Sequence, residues 1–204
     1  MNKNTIKDII NNRTLEVIGD NQRARCAVCI ALIEGADDHK VLFEVRSSNI
    51  KDQPGDVCLP GGAIEDGESP KEAAIRETKE ELLIADNQVE ILGPTDEFRT
   101  GKLIIYPYVG VIKDYNDTFS KDEVSRVFKV PLSFFIDTVP EVYKVPYEPK
   151  FDENFPFDRI VGGRDYKWRS VENTTLFYQY QQFTIWGMTA MIMDSFSKIL
   201  RKEV

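Results

Sequence analysis

The sequence predicts one α/β domain, and three observations support that reading. A chain of 204 residues is long enough to bury a sizeable core and short enough to do so in one unit, 1–204. Strand-like apolar and β-branched runs recur at 25–34, 41–46, 89–92, 103–112, 124–130 and 174–183. Segments with helical spacing stand between and beyond them, near 6–10, 69–82, 131–137 and 185–200.

Ile6, Ile9 and Ile10 mark a short amphipathic helix at the start. The runs 25–34 and 41–46 flank the polar turn GADDH and read as a hairpin, with His39 as a solvated turn residue. SSNIKDQPGD is a loop. Residues 59–84, LPGGAIEDGESPKEAAIRETKEELLI, then read as strand end, glycine turn and helix. The helix start is well signed: Ser69 as N-cap, Pro70 at the first helical position, and Glu72 completing a capping box. VEIL and LIIYPYVGVI follow as strands, then a polar turn at 114–122 and the strand VSRVFKV. Pro131 opens a short helix in PLSFFID. The stretch 140–173 interleaves Pro140, Pro146, Pro149, Pro156, Gly162 and Gly163 with aromatic residues, which reads as an extended loop or hairpin insertion over a ligand site. TTLFYQYQQF is a strand. A closing helix at 185–200 carries the stripe Ile185, Met188, Ile192, Phe196 and Ile199.

Charge narrows the function. Against 34 acidic residues stand 26 basic ones, a net charge of -8, so no broad basic face exists to displace counterions from nucleic acid. A small phosphorylated ligand held by a few local cations stays open. MNKNTIKDIINN lacks the apolar core of a signal peptide, and the longest apolar run, CAVCIALI, is too short to span a bilayer. A cytoplasmic protein without membrane contact is expected. Cys26, Cys29 and Cys58 make no disulfide framework. On a strand Cys26 and Cys29 point to opposite faces, so they read as buried thiols rather than as a zinc half-site.

The run RETKEE places Glu77, Glu80 and Glu81 together in this already acidic chain. On a helix of about 100° per residue, Glu80 falls about 60° to one side of Glu77 and Glu81 about 40° to the other. All three carboxylates share one face. Ala74, Ile75, Thr78 and Leu82 form the neighbouring stripe that can pack on a sheet, and Arg76 flanks Glu80. Like charges at this spacing repel by a few tenths of a kcal/mol per pair. By spacing alone the row also fits a solvated acidic face; the glycine turn, the capping box and Arg76 favour a site. A glycine carbonyl beside clustered carboxylates is a hard-oxygen set suited to Mg²⁺ or Mn²⁺.

The segment resembles the Nudix box, G-x5-E-x7-R-E-U-x-E-E-x-G-U with U a bulky apolar residue. Gly62, Glu68, Arg76, Glu77, Glu80, Glu81 and Ile84 fall in register, while Thr78 replaces the first apolar residue and Leu83 the glycine. Gly is the usual terminator of a helix, and Asp86-Asn87 downstream is expected to take that role. The resemblance implies a Nudix fold, a mixed β-sheet sandwiched between α-helices, with the insertion before the last strand and helix. Residues 42–62, LFEVRSSNIKDQPGDVCLPGG, are similar to the pattern L-L-T-x-R-S-x3-R-x3-G-x-V-x-F-P-G-G of Nudix coenzyme A pyrophosphatases. Arg46, Ser47, Gly55, Val57, Pro60, Gly61 and Gly62 keep register, with Lys51 at the second Arg position and Leu59 for Phe. IWGMTA at 185–190 and TGKLIIYPYVG resemble further segments of that subfamily.

The resemblance implies hydrolysis of the pyrophosphate of coenzyme A or its thioesters to 3′,5′-ADP and 4′-phosphopantetheine or its acyl form. It makes Glu77 and Glu81 the principal ligands of Mg²⁺ or Mn²⁺, with Glu80 and the Gly61 carbonyl assisting. Arg76 and Glu68 become an orienting ion pair, and Glu123 or a box residue the general base. Arg46, Ser47, Lys51, Gly61, Gly62 and Arg99 are the expected substrate contacts; for the 3′-phosphate the subfamily motif offers Arg46 and Lys51, with Arg25 and Arg99 as weaker candidates, and Arg46 pairing with a box carboxylate is the alternative. Family habit points to a homodimer. Competing expectations are a pyrophosphatase for another nucleoside diphosphate derivative, such as ADP-ribose, and a non-catalytic ligand-binding or regulatory module.

Overall fold

A computed structural model of the chain describes residues 2–12, 19, 23–34 and 38–202. The N-terminal helix α1 (Lys3–Asn11) is capped by the Asn2 side chain and buries none of its residues. The central sheet follows: β1 (Ala24–Ile33), β2 (Lys40–Arg46), β3 (Val57–Cys58) and β4 (Gly61–Ala63). Then come α2 (Pro70–Leu82), β5 (Val89–Pro94), β6 (Phe98–Arg99), β7 (Leu103–Ile112), β8 (Val124–Pro131) and α3 (Leu132–Asp137). A second, three-stranded sheet and the last helix close the chain: β9 (Glu141–Tyr147), β10 (Val171–Tyr180), β11 (Phe183–Trp186) and α4 (Gly187–Arg201).

The main sheet runs β3-β2-β1-β7-β5, with β4 on β1, β6 on β7 and β8 on β2. It is mixed: β1 and β7 are parallel over their whole length, Ala24 opposite Leu103 through Ile33 opposite Ile112, while the other pairs are antiparallel. β1 and β2 pair as an antiparallel hairpin, Leu32 opposite Val41; residues 35–37 of its turn lie outside the described residues. Alternation along these strands sends two sets of side chains in opposite directions. On one face Ile30, Leu32, Val41, Phe43, Ile105 and Val111 join Phe135, Tyr178, Ile185, Met193 and Phe196 in the larger core. On the other, Cys29, Ala31, Leu42 and Ile112 pack with Leu82, and Ala27 packs with Ala73 and Ala74. Helices therefore cover both faces, α2 on one and α3 and α4 on the other.

Several element boundaries move from expectation. Pro131 caps α3 instead of starting it. The run 174–183 is not one strand: β10 ends at Tyr180, a turn at Gln181-Gln182 follows, and β11 returns antiparallel with Tyr178 opposite Ile185. Ile185 is thus a strand residue, and α4 starts at Gly187, whose φ of +60° turns the chain out of the sheet. β9 pairs with β10 from Glu141–Phe177 to Tyr147–Val171. Between them, in residues 148–170, Phe151 and Phe155 each pack against Phe157 and Trp168 and against one another, their ring centroids 4.9–5.9 Å apart. Cys26, Cys29 and Cys58 are free thiols, of which Cys29 is buried as expected while Cys26 and Cys58 are partly exposed, and His39 is exposed at the foot of β2. Among the described residues no helix is long and apolar enough to cross a membrane.

Candidate active site

The capping box forms as expected: the Glu72 N–H donates to Ser69 Oγ at 3.3 Å, and the Ser69 N–H to Glu72 Oε2 at 2.9 Å. The far end of α2 stops at Leu83, which adopts the left-handed conformation (φ 53°, ψ 49°) usually taken by glycine. Asp86-Asn87 does not end the helix; it belongs to the following 3-10 turn. Small residues set how close α2 lies to the sheet. Ala73, Ala74 and Thr78 are fully buried, and the Thr78 hydroxyl donates back to the Ala74 carbonyl at 2.6 Å. With no bulk between helix and strand, the carboxylates of Glu77 and Glu81 are carried against β4.

Both glycines of β4 are required there. A Cβ on Gly61 (φ +150°) would stand 2.3 Å from the Ala27 carbonyl oxygen, and one on Gly62 2.5 Å from the Glu77 carboxylate. The Gly61 N–H donates to Glu81 Oε2 at 2.8 Å. Arg76 spreads five hydrogen bonds over the outer side: Nε and Nη2 to Glu68, Nη2 to the Ala63 carbonyl, and Nη1 to Glu77 Oε1 and Glu80 Oε2. This is the planar fork that arginine offers and lysine does not.

A third element closes the site. The last carbonyls of α2 accept hydrogen bonds from the 113–123 loop, Glu81 from the Ser120 N–H at 2.7 Å and Leu82 from the Thr118 hydroxyl at 2.6 Å. Glu123 at the end of that loop is exposed, and its carbonyl accepts from the Ser47 N–H at 2.8 Å. From β2 comes Glu44, only 1% exposed, two residues beyond Leu42 and on the same face, so that it meets α2.

The electrostatics follow from packing acids into this space. Burial, then the Glu81 and Glu123 charges, push Glu44 well above the ordinary carboxylate value, with Arg46 opposing. Burial also raises Glu81 to about 8; the Gly61 N–H pulls it down, while Glu77 and Glu123 push it up. Glu77 is raised by burial against the pull of Arg76. Glu68 is held below its ordinary value by Arg76, and Arg76 in turn is raised by its carboxylates. Cys58, opposite Glu44 in the β2–β3 ladder, is pushed up to about 12 by burial and by Glu44 and Glu81.

Beside Gly61 a cavity of about 240 Å³ opens between the 53–61 segment and the start of α4. Its walls include Arg46, Cys58, Leu59, Trp186, Met188 and Thr189, and the Thr189 hydroxyl donates to the Val57 carbonyl at 3.2 Å.

The model of the NUDIX domain matches residues 23–149. The chain belongs to the Nudix family. It is 32% identical over 176 residues to NudL, a Nudix hydrolase of Enterobacter sp. (strain 638), covering 84% of this chain and 80% of that protein. It is 30% identical over 185 residues to Nudix hydrolase 15, mitochondrial, of Arabidopsis thaliana, covering 83% of this chain but 56% of the relative's length. A shorter match, 37% over 110 residues, joins it to the peroxisomal coenzyme A diphosphatase ndx-8 of Caenorhabditis elegans, covering 51% of this chain and 47% of that protein. The fold is similar to that of a MutT/nudix family protein from Enterococcus faecalis, with a TM-score of 0.52 at 14% identity over 98% of this chain and 70% of that one. The mixed sheet with helices on both faces is thus the Nudix fold.

In this Nudix domain the structure brings together Glu77, Glu81, Gly61, Gly62, Arg76, Glu68 and the 113–123 loop with Glu123. Glu80 stands apart on the outer flank, its side chain 58% exposed and bound to Arg76. Ser47 is buried, and its backbone N–H braces Glu123. Arg46 lines the cavity, with its Nε on the Asp52 carbonyl at 3.0 Å. Lys51 is exposed on the loop, Arg99 donates to Glu97 from β6, and Arg25 donates to the Tyr106 hydroxyl. Among the described residues, no three His, Cys, Asp or Glu side chains enclose an ion position by themselves. Glu44 does not stand out in the sequence. Its only signal there is a lone acid within the strand VLFEV, at the position where the pyrophosphatase pattern has Thr.

Proposed function

We propose that this chain is a divalent-cation-dependent hydrolase of the pyrophosphate bond of coenzyme A or its thioesters. One observation carries the reading. Two segments that resemble coenzyme A pyrophosphatases, 42–62 and 185–190, lie far apart in sequence yet wall one cavity, and it opens beside Gly61 of the carboxylate site. A mostly apolar cleft suits the pantetheine arm, and Arg46 at its wall suits a phosphate.

The donor set fits Mg²⁺ or Mn²⁺. It is made of hard oxygens, neighbouring carboxylates push both Glu44 and Glu81 upward, and no donor reaches the buried Glu44 Oε1. Glu77, Glu81 and the Gly61 carbonyl would hold the cation, with Glu80 able to join only by leaving Arg76. When bound, it neutralises pyrophosphate oxygens and lowers the pKa of water. Arg76 fixes Glu77 and Glu68 in place, Gly62 leaves room for the Glu77 carboxylate, and the Glu123 carboxylate accepts the proton of the attacking water.

The test is a substrate panel of CoA, dephospho-CoA and ADP-ribose with Mg²⁺ or Mn²⁺. Preference for CoA supports the reading. Preference for ADP-ribose shifts the assignment to another nucleoside diphosphate derivative, and no turnover of any substrate points to a binding module.

A further inference from the structure

Glu44 is the least expected group in the molecule. It is 1% exposed, sits mid-strand among Val41, Leu42 and Phe43, and carries a carboxylate oxygen, Oε1, that no donor reaches. Its carboxyl lies within hydrogen-bonding reach of that of Glu81, a contact that holds only while one of the two carries a proton; with both ionised, two acceptors would face each other between β2 and α2. A buried acceptor left without a partner costs about 1–3 kcal/mol, and more when it is charged. Such a pair is satisfied in one of two ways, by a shared proton or by a cation.

We propose that Glu44 is a further ligand of the divalent cation, extending the metal site from α2 onto the sheet strand β2. The proposal rests on the reading of Glu81 as a metal ligand. Three features favour a cation over a shared proton. Glu123 adds its charge to both carboxyls and Glu77 adds its own to Glu81, so one shared proton leaves repulsion in place. Arg46, the nearby cation, spends its Nε on the Asp52 carbonyl rather than on Glu44. Burial also keeps bulk water from Glu44, so solvent does not satisfy its free oxygen. A ligand on a rigid central strand fixes the cation more firmly than a loop acid such as Glu123.

The test is Mn²⁺ binding at pH 7.5, followed by the electron paramagnetic resonance of free Mn²⁺ and without nucleotide. The full chain is compared with Glu44→Gln, Glu44→Thr and Glu81→Gln. Loss of about tenfold or more in affinity in both Gln variants supports the proposal. Melting in EDTA separates a folding defect: Glu44→Gln removes a buried charge and is expected to melt no lower than the parent. Should it fail to fold, Glu44→Thr decides by the same loss of affinity. If Glu44→Gln binds Mn²⁺ like the parent while Glu81→Gln does not, the pair shares a proton and the proposal falls, with the metal reading intact. Parental binding by both variants overturns the metal reading as well.

Discussion

The electrostatics of Glu81 predict that the metal-free protein loses stability as pH rises through neutrality. The perturbation is a change from pH 5 to pH 8.5 in EDTA. Below 4.5 Glu81 is protonated in both folded and unfolded chains and contributes no difference. Between 4.5 and 8 the unfolded chain ionises it, while the fold, which holds its pKa at about 8, keeps the proton. The folded state then binds more protons than the unfolded one, so stability falls with rising pH across that window. A tenfold difference in proton affinity between the two states is worth about 1.4 kcal/mol, so full ionisation costs on the order of 4–5 kcal/mol. Glu44 and Glu77 are raised as well and act in the same direction. For a domain of this size the fall corresponds to about 10 °C or more in melting temperature. The assay is thermal unfolding at half-unit pH steps, in EDTA and with saturating Mg²⁺, for the parent and Glu81→Gln. A steep decline is expected in EDTA, a flatter curve with Mg²⁺, and a shallower slope in the variant. A flat or rising curve in EDTA, or the same decline in Glu81→Gln, would refute this reasoning.

Three substitutions test separate parts of the structure. Gly62→Ala puts a Cβ 2.5 Å from the Glu77 carboxylate and should lower CoA turnover by about a hundredfold, with circular dichroism still reading a folded protein. Leu83→Gly relieves a left-handed residue that is 60% exposed; urea unfolding should show a gain of about 1 kcal/mol. Arg76→Lys keeps the charge but cannot span Glu68, Glu77, Glu80 and the Ala63 carbonyl, so kcat should fall at least about tenfold.

What the sequence made legible was whatever local rules decide. The strand 103–112 is rich enough in β-branched and aromatic residues to read as a strand despite Pro107 and Gly110, and the capping box at Ser69 and Glu72 is written within four residues. The boundary at 185–187 was hidden because Ile185 has helical spacing to Met188 and Ile192. Tertiary pairing with Tyr178 makes it a strand residue, and only the left-handed Gly187 marks the change. The end of α2 was hidden for the opposite reason: a leucine takes a conformation that sequence rules reserve for glycine.

The candidate site divides in the same way. Glu77, Glu81 and Arg76 share one helix, so periodicity placed them together. Glu80 shares that face too, but Arg76 draws it outward, and spacing does not record such competition. Glu44 and the cavity depend on pairs of elements distant in sequence, β2 against α2 and 53–61 against α4. No window along the chain contains either pair.

The most direct test is to identify the products of CoA incubated with the chain and Mg²⁺ or Mn²⁺, with Glu81→Gln alongside. The parent is predicted to release 3′,5′-ADP and 4′-phosphopantetheine, and the variant neither. Intact CoA with the parent, or the same products from Glu81→Gln at the parental rate, would contradict the assignment.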